Sequence, residues 1–348
     1  MRVVLTGTTN EGATPDLPDA SLFERARSLS ARFPDARLRP CSLVRLAEAD
    51  ARAGARVWLA LESLQVTGSF KVRGALLALS LLAERGRREV IVASAGNHGA
   101  GVAYAANILG MGATVVVPKT APEAKRARIT SYGAKLVVSH KAGYDAAERE
   151  ARTMATTRAL PFVSPYDDVA ILAGNGGSLG MEIEAALGRV PDVVIAPFGG
   201  GGLATGLACA LPEAKVFGAQ SEASPAFALS LERGAAVESL DVQRTLADGL
   251  EGGISRAAFE RARAVVAGVV VVSEQAIEAA MAAAYRSLGV TIEGSAAAAV
   301  APLLDDGLPS ALRPVRRDAD VVVVVTGRNV DRSRLDAALE RVAKAALF

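Results

Sequence analysis

Short runs of β-branched and other apolar residues alternate along the chain with longer, alanine-rich stretches of helical periodicity. The apolar runs predict strands at 57–61, 90–93, 114–117, 135–139, 193–196, 215–219, 269–272 and 321–325. The longer stretches predict helices at 72–84, 101–109, 122–132, 144–157, 179–187, 203–210, 275–288, 294–304 and 333–346. Regular alternation of the two is typical of an α/β protein with a mainly parallel sheet, and fully apolar strands fit a sheet covered on both faces.

The composition favours a soluble α/β protein and argues against several other classes. The chain has 348 residues, of which 51% are hydrophobic but only 4% aromatic, so we expect a core of Ala, Val and Leu. The net charge of +2 is spread along the chain, which argues against nucleic acid as a partner. The longest apolar run near a strand, 264–272, is too short to span a bilayer. We therefore expect neither a nucleic-acid nor a membrane partner.

The few cysteines and histidines predict a reducing compartment and argue against a metal centre. Cys41 and Cys209 are widely separated and fit no metal-binding or redox spacing. His98 and His140 are the only histidines, which excludes a multi-histidine metal site. Residues 1–20 lack periodicity and predict an irregular arm without an evident secretory signal. These features predict a cytoplasmic protein.

The segment Ser69-Phe70-Lys71-Val72-Arg73-Gly74-Ala75 places one lysine at the start of the predicted helix 72–84. A polar turn at 65–68 separates it from the apolar strand 57–61. A lysine held there is partly desolvated and lies near the positive end of a helix, so its amine can act as a nucleophile. Taken alone, however, a lysine in the first turn of a helix is more often a solvated surface residue.

Four consecutive glycines, at 199–202, lie between the strand 193–196 and the helix 203–210. The N–H groups of consecutive glycines can converge on an anion, and the dipole of the following helix adds positive partial charge. The segment is not a Walker loop, because no Gly-Lys-Ser/Thr follows, and it lacks the G-x-G spacing of a dinucleotide site. It therefore predicts a phosphate site, with a purely structural turn as the alternative.

A third segment, Ser94-Ala95-Gly96-Asn97-His98-Gly99, lies between the strand 90–93 and a helix. Free N–H groups in such a strand-to-helix loop can bind a carboxylate. By itself, an Asn-His pair is more often a simple helix cap.

In this order along the chain, the lysine, asparagine and glycine segments resemble those of the fold-type II pyridoxal-phosphate enzymes of the threonine/serine dehydratase (serine racemase-like) family. The resemblance covers about residues 20–330. It implies an α/β, tryptophan synthase β-like fold with two domains of mainly parallel open sheets, and pyridoxal 5'-phosphate in the interdomain cleft. The implied domains are a large one at 21–88 plus 167–348 and a small one at 89–166.

The resemblance also implies a role for each matching residue. Lys71 would form a Schiff base with the cofactor and remove the α-proton of the substrate. Phe70 would pack beside the cofactor ring, and Asn97 would bind its phenolic oxygen. Thr326, which follows the strand 321–325, would meet the pyridine nitrogen with a hydroxyl, and this favours loss of a β-substituent over transamination. The other implied cofactor residues are Gly199, Gly200, Gly201, Gly202, Leu203, Gly249 and Glu293, and the implied substrate residues are Ser94, Ala95, Gly96, Asn97 and His98.

The chain departs from the family pattern at two positions that bear on the site. Gln220 stands where many relatives have a glutamate beside a cation. Because an amide lacks the charge that holds a hard cation, we expect no essential metal there. Residues 173–177, Ala-Gly-Asn-Gly-Gly, resemble a family loop but contain one residue more than usual.

The resemblance implies an ammonia-lyase (dehydratase) that converts a small β-hydroxy amino acid, such as L-threonine or L-serine, to a 2-oxo acid and ammonia. The alternatives are an amino-acid racemase or a β-replacement synthase of the same fold, or a catalytically silent ligand-binding homologue. Synthases typically have Lys-Asp-Arg where this chain has Lys71-Val72-Arg73, and racemases use a serine at the position of Ala95 as a second base. The lyase is therefore preferred, and the family leads us to expect a homodimer.

Overall fold

The computed structural model of the chain describes residues 1–7, 15–140, 143–241, 244–304, 307–314, 316 and 318–345. The strands are β1 (Arg2–Leu5), β2 (Leu43–Arg45), β3 (Arg56–Leu61), β4 (Glu89–Ala93), β5 (Gly112–Val117), β6 (Lys135–Val138), β7 (Val193–Pro197), β8 (Lys215–Ser221), β9 (Gly268–Val272) and β10 (Asp320–Val325). The α-helices are α1 (Ala20–Arg27), α2 (Leu29–Arg32), α3 (Asp50–Ala53), α4 (Lys71–Glu84), α5 (Asn97–Ile108), α6 (Glu123–Ser131), α7 (Tyr144–Thr157), α8 (Val169–Leu172), α9 (Ser178–Leu187), α10 (Gly202–Ala210), α11 (Ala226–Arg233), α12 (Arg256–Val265), α13 (Glu274–Leu288), α14 (Gly294–Val300) and α15 (Arg332–Ala345).

The chain divides into two compact units. Unit 1 comprises Met1–Leu17, Pro40–Leu64 and Leu179–Phe348, and unit 2 comprises Pro18–Arg39 and Gln65–Ser178. Unit 2 contains the segment 89–166 that the resemblance marks as the small domain. It also contains α4 and the helices α1 and α2, which the resemblance assigns to the large domain or to the arm.

Unit 1 is built on a seven-stranded sheet in the order β1-β9-β8-β7-β10-β3-β2. The inner strands are parallel, whereas the two outer strands, β1 and β2, pair antiparallel with their neighbours. Every residue of β10 is buried, because helices cover both faces of a parallel sheet. The mainly parallel α/β fold that the sequence predicts is therefore confirmed.

Small side chains let the helices of unit 1 lie close to this sheet. The whole of α14 is buried, and its four consecutive alanines, 296–299, have no exposed surface. With few aromatic residues, the core is filled by Ala, Val and Leu at close spacing.

Unit 2 contains a parallel sheet in the order β4-β5-β6. Phe162 extends it by one bridge, parallel to Ile91 of β4. The helix α7 packs on β4 and β5 through Ala147, Ala151 and Ala155, which recur every fourth residue and so share one face. Its opposite face carries the polar residues.

The pattern of apolar runs located each predicted strand to within one or two residues but missed the shortest elements. The predicted irregular arm contains β1, a four-residue strand whose partner, β9, lies far along the sequence. The strand β2 and the helices α1, α2, α3, α8, α11 and α12 were also not predicted. Residues 8–14 of the predicted arm lie outside the described residues.

None of the helices in the described ranges combines the length and the apolar character that a bilayer span requires.

Candidate active site

Lys71 is the first residue of α4, as the sequence predicts. Phe70 precedes it at the cap position and is buried, and the Lys71 Nζ atom lies 4.9 Å from the centroid of the Phe70 ring. This distance is that of a cation–π contact, which fixes the ammonium near the ring. The lysine is half-buried rather than fully solvated.

Asn175 holds the start of α4 in place. Its Oδ1 atom accepts a hydrogen bond of 2.9 Å from the backbone N–H of Gly74. A Cβ atom at Gly74 would lie 2.7 Å from that oxygen, and one at Gly174 would lie 2.5 Å from the Cα atom of Gly74. Only glycine at both positions allows this approach. Asn175 thus fixes the turn that presents Lys71.

The segment that carries Asn175 is helical rather than a loop. Ala173–Gly177 form a π-helix that continues α8 into α9. A π-turn accommodates one residue more per turn than an α-helix, so this segment stays helical without interrupting the chain. Sequence reasoning singled out the extra residue but did not identify Asn175 as the residue that caps α4.

The helix α5 approaches the backbone of Lys71 from the other side. A Cβ atom at Gly101 would lie 3.0 Å from the carbonyl carbon of Lys71. In the loop before α5, the Gly96 N–H donates a hydrogen bond of 3.1 Å to Ser94 Oγ. The predicted substrate loop therefore lies at the N-terminus of α5, whose first N–H groups have no acceptor within the helix. Asn97, the first residue of α5, is half-buried.

His98 has a buried side chain, whereas the resemblance places it among the substrate-binding residues. Its Nε2 atom lies 3.2 Å from the carbonyl oxygen of Val163, so we assign the proton to Nε2. Burial, assisted by the positive charge of Lys71, lowers the pKa of His98 to about 3. The ring is therefore neutral at physiological pH.

The glycine segment of unit 1 has the conformation of an anion cradle. Gly201, at the cap position of α10, has φ of 82°, and a Cβ atom there would lie 2.8 Å from the ring of Phe198. A Cβ atom at Gly199 would lie 3.2 Å from the carbonyl oxygen of Gly249. The N–H groups at the start of α10 lack acceptors within the helix, so a phosphate fits this turn.

Gly249 is held next to this loop by a residue that the sequence did not reveal. The Gly249 N–H donates a hydrogen bond of 2.9 Å to Ser295 Oγ, and a Cβ atom at Gly249 would lie 2.8 Å from that oxygen. Ser295 is buried in the first turn of α14. Its position two residues after Glu293 is the only signal in the sequence that could have identified it.

Glu293 and Thr326 are both buried near the C-terminal end of β10. The Glu293 N–H donates a hydrogen bond of 3.0 Å to the Gly327 carbonyl oxygen. A Cβ atom at Gly327 would lie 2.7 Å from the Glu293 carboxyl carbon, so the residue after Thr326 has to be glycine. The side chain of Glu293 therefore contacts the backbone next to Thr326.

The predicted site residues thus form two groups. In unit 2, Phe70 and Lys71 lie near the loop of Ser94, Ala95, Gly96, Asn97 and His98. In unit 1, the glycine loop with Leu203 adjoins Gly249, and Glu293 adjoins Thr326.

Gln220, at the position where the sequence leads us to expect no essential metal, is fully buried near the end of β8. Its Oε1 atom accepts a hydrogen bond of 3.1 Å from the Ala228 N–H. The described parts of the chain contain no group of three or more His, Cys, Asp or Glu side chains placed to hold a metal ion.

A mainly parallel α/β fold, a lysine at a helix start and a glycine cradle define an enzyme class that binds a phosphate-bearing cofactor. The chain belongs to the pyridoxal-phosphate-dependent enzyme family, because the family model described as "Pyridoxal-phosphate dependent enzyme" matches residues 36–327. The cofactor of this family has a phosphate group, which fits the glycine cradle at 199–202, and an aldehyde group, which fits the amine of Lys71.

Characterised relatives agree with this assignment. L-threonine ammonia-lyase of Thermotoga maritima is 36% identical over 297 residues, which cover 83% of this chain and 71% of the relative. The processed form of threonine deaminase isoform 2 from Solanum lycopersicum matches with a TM-score of 0.81 at 27% identity, covering 97% of this chain and 96% of that one. Maize serine racemase matches with a TM-score of 0.83 at 26% identity, covering 96% and 100%.

Proposed function

We propose that the protein is an ammonia-lyase that converts a small β-hydroxy amino acid, such as L-threonine or L-serine, to a 2-oxo acid and ammonia. The observation that carries the proposal is Lys71 at the head of α4, held there by Asn175 and approached by α5. The 36% identity to an L-threonine ammonia-lyase over most of the chain supports the same reaction.

The residues that we propose to hold the cofactor are those that the family resemblance implies. The N–H groups of residues 199–203 bind the phosphate, Phe70, Gly249 and Glu293 contact the ring, and Asn97 and Thr326 bind its oxygen and nitrogen. When bound, pyridoxal phosphate supplies an electron sink for the carbanion at the substrate Cα.

Lys71 does the proton chemistry of the reaction. Its Nζ atom would hold the cofactor, and its free amine would take the α-proton of the substrate. The N–H groups of the Ser94–Asn97 loop, at the N-terminus of α5, bind the substrate carboxylate and orient the Cα–H bond. Loss of the α-proton and the β-hydroxyl group removes water, and the resulting enamine hydrolyses to the 2-oxo acid and ammonia.

The racemase is the second candidate, because maize serine racemase has the same fold. Racemisation needs an acid on the face opposite Lys71, and the methyl group of Ala95 cannot donate a proton. Elimination is therefore expected to dominate over racemisation.

The test combines spectroscopy with product analysis. The purified protein with added cofactor should have an absorption band at the visible edge that borohydride removes, and it should release ammonia and a 2-oxo acid from L-threonine or L-serine. Lys71→Ala should abolish both, whereas Lys215→Ala, which removes an exposed lysine of unit 1, should change neither. Turnover by Lys71→Ala, or a mainly D-amino acid product from the wild type, would refute the lyase.

We also propose that the protein is a cytoplasmic homodimer, which rests on the family resemblance and on Cys41 and Cys209, which form no disulfide with each other. Light scattering should give twice the mass of the 35.7 kDa chain, and a mass near 35.7 kDa would contradict the dimer.

A further inference from the structure

Three buried phenylalanine rings of unit 1 form a row that ends at the glycine loop 199–202. Phe198, the residue immediately before the loop, stacks on Phe227 of α11 with 4.3 Å between the ring centroids and 17° between the planes. Phe227 meets Phe259 of α12 edge to face, with the centroids 6.0 Å apart. Only 4% of the chain is aromatic, so this phenylalanine row is a local exception to a core of Ala, Val and Leu.

The ring of Phe198 fills the space between β8 and the glycine loop. A Cβ atom at Gly201 would lie 2.8 Å from the Cζ atom at the tip of the ring. One at Gly218, in β8, would lie 2.6 Å from Cδ2, and the three atoms nearest to it would all belong to Phe198. The ring is therefore enclosed by backbone on both sides, and residues 201 and 218 have to be glycine to leave room for it.

The phenylalanine row is anchored on β8 at two adjacent positions. The Phe198 N–H donates a hydrogen bond of 2.8 Å to the Ala219 carbonyl oxygen, which fixes the base of the ring. The Oε1 atom of Gln220 accepts a hydrogen bond of 3.1 Å from the N–H of Ala228, in the first turn of α11. That N–H has no acceptor within the helix, so Gln220 holds the turn that carries Phe227 against Phe198.

A loop of four glycines needs such a support to bind an anion well. Glycine adopts many backbone conformations with similar ease, and Gly201 is observed in only one of them, with φ of 82°. A ligand that binds one conformation of a flexible loop loses affinity to the ordering of that loop. The contact with the tip of the Phe198 ring restricts Gly201, so the loop is ordered before a ligand arrives.

We propose that Phe198 is a positioning residue for the cofactor phosphate. Its ring acts through Gly201 and keeps the N–H groups at the start of α10 converged on one point. The proposal rests on the proposed function, since it takes the loop 199–203 as the phosphate site. It predicts that Phe198 strengthens the binding of the phosphate group and has little effect on the rest of the cofactor.

The test compares pyridoxal phosphate with pyridoxal, which has the same ring and aldehyde but no phosphate. The holoenzyme is dialysed against fixed pyridoxal phosphate and increasing pyridoxal, and the phosphorus retained on the protein is measured. The concentration that displaces half of the cofactor gives the ratio of the two Kd values. The wild type should prefer pyridoxal phosphate, and Phe198→Leu should reduce this preference about tenfold.

The matched control removes a ring from the far end of the same row. Phe259→Leu makes the same change at an equally buried position whose ring contact is with Phe227, so it should lower the thermal midpoint but leave the preference unchanged. Weakening of the whole site would affect both ligands alike, whereas the proposal predicts a change in their ratio.

A second variant displaces the ring instead of removing it. Gly218→Ala adds one carbon on the side of the ring away from Gly201 and should also reduce the preference for pyridoxal phosphate. Phe198→Leu and Gly218→Ala change the packed volume in opposite directions, so a common effect on the ratio points to the position of the ring. Circular dichroism of each variant verifies folding.

The outcomes separate this proposal from the proposed function. Equal ratios in Phe198→Leu and Phe259→Leu, or a wild-type ratio in Gly218→Ala, would overturn the role of Phe198. If the wild type does not prefer pyridoxal phosphate to pyridoxal, the phosphate site at 199–203 fails and the role of Phe198 fails with it. If the ratio falls as expected but the protein releases no ammonia from L-threonine or L-serine, the role of Phe198 is supported and only the lyase fails.

Discussion

The position of Lys71 depends on neighbouring residues that contact the backbone of α4. Asn175 is 1% exposed and its side chain holds the N–H of Gly74, while Gly101 leaves room for α5 beside the lysine backbone. An amine that acts on a substrate has to be correctly positioned as well as activated, because small displacements of the reacting groups slow the reaction. Asn175 and Gly101 therefore set the position of the lysine in the proposed site.

Replacing Asn175 by alanine should destabilise the protein by about 1–3 kcal/mol, because the buried N–H of Gly74 loses its partner. Urea unfolding monitored by circular dichroism measures this change. Asn107→Ala, at an exposed position near the end of α5, is the matched control and should be nearly neutral. Equal effects of the two substitutions would show that the side chain of Asn175 does not support α4.

His98 should make the stability of the protein depend on pH. The pKa of His98 is about 3 in the folded protein, against 6.5 for the unperturbed group. At a pH between about 3 and 6.5, the unfolded chain binds a proton at His98 that the folded chain does not bind. The free energy of unfolding therefore falls as the pH decreases, by at most about 1.4 kcal/mol per pH unit.

His98→Gln removes this titration and keeps a donor for Val163, so its stability should fall less steeply with decreasing pH. Urea unfolding between about pH 4.5 and 7.5 measures the slope for each variant. His140→Gln, which replaces the exposed histidine, should retain the wild-type slope. A wild-type slope in His98→Gln would mean that the buried ring does not account for the pH dependence.

At the scale of elements, the sequence predicted what local periodicity encodes. The long strands and helices were located because their apolar residues recur at regular spacing, and Lys71 and the glycine loop were found because they lie at strand–helix junctions. β1 was missed because four residues give too short a pattern, and its partner in β9 is distant in sequence. Asn175 and Ser295 were missed because each acts through one contact across the fold, which periodicity does not encode.

The packing of α5 on α4 requires that residue 101 has no Cβ atom. Gly101→Ala would put a Cβ atom 3.0 Å from the carbonyl carbon of Lys71 and 3.2 Å from the nitrogen of Val72, so the two helix backbones have to separate. We expect kcat to fall about tenfold or more, because the lysine moves with α4.

Steady-state kinetics and the thermal midpoint measure the effects of Gly101→Ala on turnover and stability. In the control, Gly112→Ala, the tightest contact of the added carbon is with the flexible side chain of Glu89, 3.2 Å away. Unchanged kcat in Gly101→Ala would mean that the two helices adapt without moving Lys71.

At the scale of the whole molecule, one buried carboxylate ties together the sheet of unit 1. Asp320, at the start of β10, is 1% exposed and accepts hydrogen bonds from Arg56 Nε and Trp58 Nε1 at 2.9 Å each and from Arg189 Nε at 2.6 Å. Its N–H donates to Asp192. The cluster therefore joins β3, β10 and the chain before β7 at the amino edge of the sheet.

Asp320→Ala should destabilise the protein by about 2–4 kcal/mol, because it leaves two arginines and the indole N–H without their acceptor. We place the expected loss toward the lower end of the range for a broken buried ion pair, because the guanidinium groups of Arg56 and Arg189 remain partly exposed to water. Urea unfolding measures it. Asp318 is an exposed aspartate, and only its backbone carbonyl oxygen contacts Arg56 and Arg189. Asp318→Ala should therefore lower the free energy of unfolding by less than about 1 kcal/mol, as is usual for surface substitutions. Similar losses in both variants would argue against the buried carboxylate as the anchor.

The central place of β10 governs how the chain can fold while a ribosome is making it. β10 lies between β7 and β3 in the sheet, although it follows both of them, and the other described strands, in the chain. β3 is complete at Leu61, yet one side of it has no partner until Asp320 and the residues after it emerge. Unpaired strand edges attract other chains, and pairing over such a sequence distance is slow. Every segment of unit 2, in contrast, has emerged by Ser178. Nascent chains between these two lengths are therefore the ones that most need a chaperone.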